Sequence, residues 1–242
     1  MQIRIRERLE LILKKVEAAC ERSGRSFSEV KIVAAVKSQP VEKVNQYIEL
    51  CKEFGICCLL GENYLQDYQK HQPNLLAGYS AHYIGRVQSN KILSLVQNFD
   101  VIESLSSLEH AKLLNRQAQR LNKIMPCYLQ VNISADVNKS GVLLEGLEEF
   151  CFEINNLESV RLQGFMTILA DYKDLDRIRS DYARLNSCRN VIQEKLLNTK
   201  LLYNDRLGLS MGMSADFEIA VEEGADLIRL GTALFGERNL ED

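Results

Sequence analysis

The chain has 242 residues, 46% of them hydrophobic, enough to bury a full core either as two small domains or as one α/β barrel. Thirty Lys and Arg stand interspersed among 33 Asp and Glu for a net charge of -3, which excludes a general attraction to nucleic acid or to an anionic membrane surface. No apolar run approaches the roughly 18 residues of a membrane helix, and Met1 to Arg8 lack the features of a leader, so a soluble, cytoplasmic protein is expected.

Short apolar runs alternate with amphipathic helical patterns from end to end, with no linker, low-complexity tract or repeat. An opening helix puts Ile5, Leu9, Ile12, Leu13, Val16 and Cys20 on one face and stops near Ser23 and Gly24. The first strand is expected from Lys31 to Val36. Pro40 suits the first turn of the helix that follows, which buries Val41, Val44, Ile48 and Cys51. A second strand, Ile56 to Leu60, precedes a helix from Tyr64, and a third, Ala81 to Ile84, precedes a helix opening at Ser89. The fourth, Val101 to Leu105, runs into Ser106-Ser107-Leu108-Glu109, a capping-box pattern, and a helix presenting Leu108, Ala111, Asn115, Ala118 and Leu121. The fifth strand is Tyr128 to Ile133, with a helix around Leu147 to Leu157. The sixth is Arg161 to Ile168, with a long helix from Asp174 to about Leu197 that buries Leu175, Ile178, Tyr182, Leu185 and Ile192. The seventh lies within Tyr203 to Ser210, its helix running from Ser214 to Glu223, and the eighth is Asp226 to Leu230.

Eight short strands with a helix between each pair mean a closed parallel barrel or a doubly wound open sheet. The barrel is preferred. A helix precedes the first strand and almost nothing follows the last, so the opening helix can cover the gap left by a missing eighth helix. The expectation is an α/β fold, a single (β/α)8 TIM-type barrel domain over residues 1–242 with an extra N-terminal helix. The seven cysteines (Cys20, Cys51, Cys57, Cys58, Cys127, Cys151 and Cys188) are odd in number and irregular in spacing, which suits reduced core thiols. Cys57 and Cys58 would face opposite sides of a strand, and three histidines without a Cys-x-x-Cys do not suggest a metal site.

In such barrels function collects at the C-terminal ends of the strands. The first strand ends on Lys37. Such a lysine is salt-bridged, solvated just past the strand, or holding chemistry, since charged side chains are rarely buried without partners. An ammonium among apolar neighbours is more easily deprotonated, which frees the amine to condense with a carbonyl. After the seventh strand, Ser210-Met211-Gly212-Met213-Ser214 offers two hydroxyls and a glycine that lets backbone approach an oxyanion. Ser214 is also placed to cap the next helix, and Gly231-Thr232 repeats the theme one strand later. Ordinary caps and turns are the plain alternative for either loop. Arg229 interrupts Leu227-Ile228 and Leu230, so its guanidinium needs an acceptor other than water: Asp226, Glu62, or a ligand atom. An aldehyde-reactive lysine, a phosphate cradle and a buried arginine together describe a site for pyridoxal 5′-phosphate. An arginine facing the pyridine nitrogen would leave that nitrogen unprotonated and the cofactor a weak electron sink.

Gly61-Glu62-Asn63-Tyr64, His82-Tyr83-Ile84-Gly85, Gln88-Ser89-Asn90-Lys91, Val131-Asn132-Ile133-Ser134 with Lys139-Ser140-Gly141, Ser210 to Asp216 and Arg229 to Gly236 resemble the pyridoxal-phosphate homeostasis protein family. The likeness runs from about Ile32 to Gly236, and the family's barrel is similar to that of alanine racemase. It implies that Lys37 carries the cofactor as a Schiff base and that Asn63 lies beside the ring; His82, read on its own, is a candidate to stack near the cofactor. The likeness further implies that Arg229 faces the ring nitrogen and that Ser210, Met213, Ser214, Gly231 and Thr232 form the phosphate loops. Val36 departs from the family's usual serine or threonine before the lysine. The implied role is carrying and buffering pyridoxal phosphate, in vitamin B6 and amino-acid homeostasis, without established catalytic turnover, as a monomer that transiently meets apo-enzymes requiring the cofactor. A structural histidine remains the alternative for His82, and a helix cap with a solvated lysine for Asn90 and Lys91. Lys139 is a surface lysine or a second exchange site. An amino-acid racemase needs two positioned bases, and only Lys37 is evident. A Schiff-base aldolase acting on a sugar phosphate would use the same lysine and loops without a cofactor.

Overall fold

The computed structural model describes residues 4–136, 139–170, 173–197 and 206–237. Its elements run α1 (Ile5–Ser23), β1 (Lys31–Ala35), α2 (Val41–Phe54), β2 (Leu59–Glu62), α3 (Leu65–His71), β3 (Ser80–Tyr83), α4 (Ile92–Asn98), β4 (Val101–Leu105) and α5 (Leu108–Arg120). They continue β5 (Met125–Val131), α6 (Leu144–Asn155), β6 (Val160–Thr167), α7 (Leu175–Leu196), β7 (Gly208–Ser210), α8 (Phe217–Glu222), β8 (Leu227–Leu230) and α9 (Thr232–Phe235). The strands close into one parallel barrel in sequence order, and β8 pairs back onto β1 with Lys31 opposite Leu227 and Ala34 opposite Leu230. The closed sheet decides between the two topologies the sequence allowed.

Two apolar layers hold it. Val33, Val101, Tyr128, Met166 and Leu227 fill the barrel interior, while a larger set lies between the strands and the helical ring. α1 occupies the place of an eighth helix, packed against α8 and α9. It buries Ile5, Leu9, Ile12 and Val16, each worth about 1.5–3 kcal/mol. Its polar edge is fixed to α8 by Lys15–Glu218 (2.9 Å) and Arg22–Glu222 (2.6 Å).

Several boundaries differ from expectation. The run Ile56 to Cys58 is not strand: Ile56 N–H closes on the Cys51 carbonyl (3.0 Å) to end α2, so β2 begins at Leu59. β5 starts three residues earlier than expected, at Met125, because Pro126 sits where an early strand position tolerates a missing N–H. The cap of α5 is Ser107, which accepts from His110 N–H (3.2 Å), rather than the Ser106–Glu109 box. Leu114 takes the buried position on α5, leaving Leu121 exposed, and on α7 Leu175 is exposed. Residues 198–205, where the seventh strand was expected to begin, lie outside the described residues. Cys57 is exposed and Cys58 buried, though neither lies in a strand as expected, and Cys20, Cys51, Cys127 and Cys151 are buried free thiols. Among the described residues no helix is long and apolar enough to cross a membrane.

Candidate functional site

Register alone aims four polar side chains into the barrel. Parallel partners point the same way, and so do residues two apart on one strand. Val33 lines the interior and pairs with Arg229. Val101 lines it, pairs with His82, and lies two residues before Glu103. Met166 lines it and pairs with Ser210. These four residues are all buried and form one chain. His82 Nδ1 meets Glu103 Oε1 at 2.5 Å, Ser210 Oγ donates to Glu103 Oε2 at 2.5 Å, and Arg229 Nη1 donates to Ser210 Oγ at 2.8 Å. Arg229 Nη2 donates to the Thr167 carbonyl at 2.6 Å. Burial pushes the Glu103 carboxyl up. The hydrogen bond and charge of His82, the Arg229 charge and the Ser210 hydroxyl outweigh it and hold Glu103 below the usual carboxylate range. Burial lowers the Arg229 guanidinium, with the Glu103 charge opposing.

These contacts correct two expectations. Arg229 is held by neither Asp226 nor Glu62. Asp226 is engaged by Arg25, Arg206 and the Leu209 N–H, and Glu62 Oε1 accepts from Asn63 N (2.7 Å) and Tyr64 N (3.1 Å). Ser210 does not reach out to a phosphate: its hydroxyl is committed inside the barrel between Glu103 and Arg229.

Lys37 lies two residues past the end of β1. Val36 N–H bonds the Gly61 carbonyl (3.0 Å), and Ser38 adopts φ 58° in the turn that follows. The lysine is half-buried, and its Nζ lies 4.7 Å from the centroid of the Tyr64 ring, a cation–π contact, while the nearby Glu62 carboxylate serves the backbone. Burial raises Glu62, opposed by its two N–H donors and by the Lys37 charge. Half-buried Asn63 shares this rim, and the β3 loop passes directly against it: a Cβ on Gly85 would stand 2.0 Å from the Asn63 carbonyl oxygen.

The loops after β7 and β8 are joined side by side. Gly212 O accepts from Arg229 N (2.9 Å), and Ser214 Oγ accepts from Ala233 N (3.1 Å). Ser214 thus serves α9 rather than capping α8, whose N-cap is Asp216. Gly212 has φ 92°, and a Cβ there would meet the Ala220 methyl at 2.5 Å, so only glycine permits this loop path. Met213 is partly exposed, with its N–H on Asp216 (2.6 Å). Gly231 lies against Ala35 of β1, and exposed Thr232 follows it, so the second loop opens beside the base of Lys37. Lys91 Nζ reaches Gln66 at 3.5 Å. Lys139 is half-buried and ties the β5 loop to the Leu169 carbonyl instead of standing in solvent.

Glu103 was missed from the sequence, although the signal was there: a carboxylate inside Val-Ile-Glu-Ser-Leu is as anomalous as the arginine inside Leu-Ile-Arg-Leu.

The family described as alanine racemase, N-terminal domain, matches residues 12–239. A pyridoxal phosphate homeostasis protein of Aquifex aeolicus is 35% identical over 236 residues, covering 96% of this chain and 97% of that protein. One of the same name from Escherichia coli is 31% identical over 239 residues, covering 97% of each. PipY of Synechococcus elongatus, solved with PLP bound, is 29% identical with a TM-score of 0.77, covering 96% of this chain and 100% of that one. Alanine racemase of Clostridium difficile, 15% identical with a TM-score of 0.68 over 57% of its length and 95% of this chain, shares the fold. The barrel, the inward Arg229 and the paired loops thus sit in a chain that belongs to the alanine racemase N-terminal domain family, among the pyridoxal phosphate homeostasis proteins.

Proposed function

We propose that this chain binds pyridoxal 5′-phosphate at the C-terminal mouth of the barrel, and carries and buffers it without established turnover. One observation carries the reading: a half-buried amine just past the end of β1 and an inward, fixed guanidinium on the adjacent strand β8 flank a seam that opens onto the paired loops. That donor set suits the cofactor's aldehyde, phosphate and ring nitrogen. The cofactor supplies an aldehyde, which condenses with a free amine with loss of one water. Lys37 offers the Nζ, with the Tyr64 ring shielding it on one side. Ser214, Gly231 and Thr232 hold the phosphate, with Met213 beside them, and Asn63 and His82 line the ring. Ser210 serves Arg229. Because arginine keeps its proton, a ring nitrogen facing Arg229 stays unprotonated, which favours storage and hand-over above carbanion chemistry. The names of the relatives and the PLP-bound PipY structure support this reading. In the same reading the chain is one cytoplasmic domain over residues 1–242 that works as a monomer and meets apo-enzymes transiently.

The test is an absorbance spectrum after incubation with pyridoxal phosphate. A visible band that borohydride abolishes, with the label fixed on Lys37, is expected, and Lys37→Ala should lack it. A protein that stays colourless and takes up none of the vitamer would overturn the reading in favour of the aldolase. Robust amino-acid racemisation in a coupled oxidase assay would overturn the carrier role.

A further inference from the structure

The buried carboxylate of Glu103 has no part in the reading above, although the Ser210 hydroxyl that accepts from Arg229 Nη1 donates to it. A serine hydroxyl has one proton to give. Here that proton goes to Glu103 Oε2, which leaves a lone pair of Ser210 Oγ facing Arg229 Nη1. The other oxygen, Oε1, faces His82 Nδ1 and makes that nitrogen the proton-bearing one. Around this carboxylate stand His82 on β3, Ser210 on β7, Arg229 on β8 and the Tyr128 phenol on β5, whose own ionisation is opposed first by burial and then by the Glu103 charge.

The geometry points to Glu103 as the positioning residue of the site: it orients the Ser210 hydroxyl and the His82 imidazole, and through Ser210 it fixes the guanidinium that faces the cofactor ring. The inference rests on the pyridoxal phosphate reading. It also has a signature of its own. A glutamine at 103 has the same shape but only one acceptor oxygen, so either Ser210 or His82 would meet an N–H that it cannot satisfy as it stands. Arg229 would keep the Thr167 carbonyl and lose the fixed acceptor on its other nitrogen.

The experiment has two arms. In cofactor-free wild-type protein, nitrogen NMR of His82 should show the proton on Nδ1, and Glu103→Gln should change that pattern. In titrations with pyridoxal phosphate, Glu103→Gln and Ser210→Ala should each weaken binding about tenfold, the scale of one hydrogen bond to a charged group. Both should also alter the visible band of the bound cofactor. The double variant should be no weaker than Glu103→Gln alone, because Ser210→Ala removes a link that the glutamine has already broken. Wild-type affinity and spectrum in Glu103→Gln, or losses that multiply in the double variant, would overturn the inference. Should Glu103→Gln not fold, an unchanged Ser210→Ala affinity or a wild-type His82 protonated on Nε2 alone would overturn it equally. Failure of wild-type protein to take up the cofactor would refute the functional reading instead, and the NMR arm keeps the two failures apart.

Discussion

Replacing Gly85 with alanine tests how the rim of the site is built. The new Cβ would lie 2.0 Å from the Asn63 carbonyl oxygen, 2.7 Å from its carbonyl carbon and 2.9 Å from its Cα. Contacts below 3.0 Å are essentially never seen, and every clashing atom is backbone, so no rotamer change relieves them. The β3 loop must move off the Gly-Glu-Asn-Tyr segment by about 1 Å. That motion strains the Ile84 N–H bond to the Glu62 carbonyl (2.9 Å) and the Ser104 hydroxyl bond to the Gly85 carbonyl. Overpacking of this kind costs about 1–3 kcal/mol, and a weakened buried hydrogen bond adds about 1 kcal/mol, for a total near 3 kcal/mol. In a chain of this size that lowers Tm by roughly 6–12 °C. The assay is thermal unfolding of cofactor-free protein followed by a pyridoxal phosphate titration. Binding should weaken as well, because Asn63 and Tyr64 move together with the backbone that Glu62 caps. A Gly85→Ala protein with wild-type Tm and affinity would refute both the close approach and its bearing on the site.

Joint replacement of Ser214 and Thr232 by alanine should weaken pyridoxal phosphate far more than pyridoxal, by about tenfold for the pair; isothermal titration with both vitamers would check this, and equal weakening would remove those hydroxyls from the phosphate. The pH dependence of stability should carry the mark of Glu103. Its carboxyl is held below its ordinary 4.5 in the folded state, so it contributes stability above that value and loses it as pH falls from about 4.5 through the lower folded value. Urea denaturation of cofactor-free protein between pH 6 and pH 3 should therefore show a shallower acid decline for Glu103→Gln than for wild type, and parallel curves would deny the carboxylate that role.

The alternation of strands and helices was legible because burial on both faces of a parallel sheet writes short apolar runs, and the helical stripes between them have a different period. Lys37 and Arg229 stood out because a charge inside such a run has few inexpensive explanations. Glu103 obeys the same rule but was hidden by its polar neighbours Ser104, Ser106 and Ser107, which make the strand read as an ending. Ser210 and Ser214 were assigned by loop chemistry, yet their partners are set by register across the barrel, which local patterns do not contain: Ser210 answers to β4 and β8, and Ser214 to the start of α9. The misplaced start of β2 has a similar cause, since apolar Ile56 to Cys58 looks like strand until the turn closing α2 is seen to use it.

α1 precedes every strand of the barrel in the chain, yet its docking surface on α8 and α9, like the β8 partner of β1, follows β1 to β7. A nascent chain halted before Leu227 would present β1 and β7 as two unpaired sheet margins, the kind of surface on which chains stick to one another. Synthesis of the barrel thus carries a period of exposure that ends only when β8 has left the ribosome, and chaperone protection during translation should matter for it accordingly.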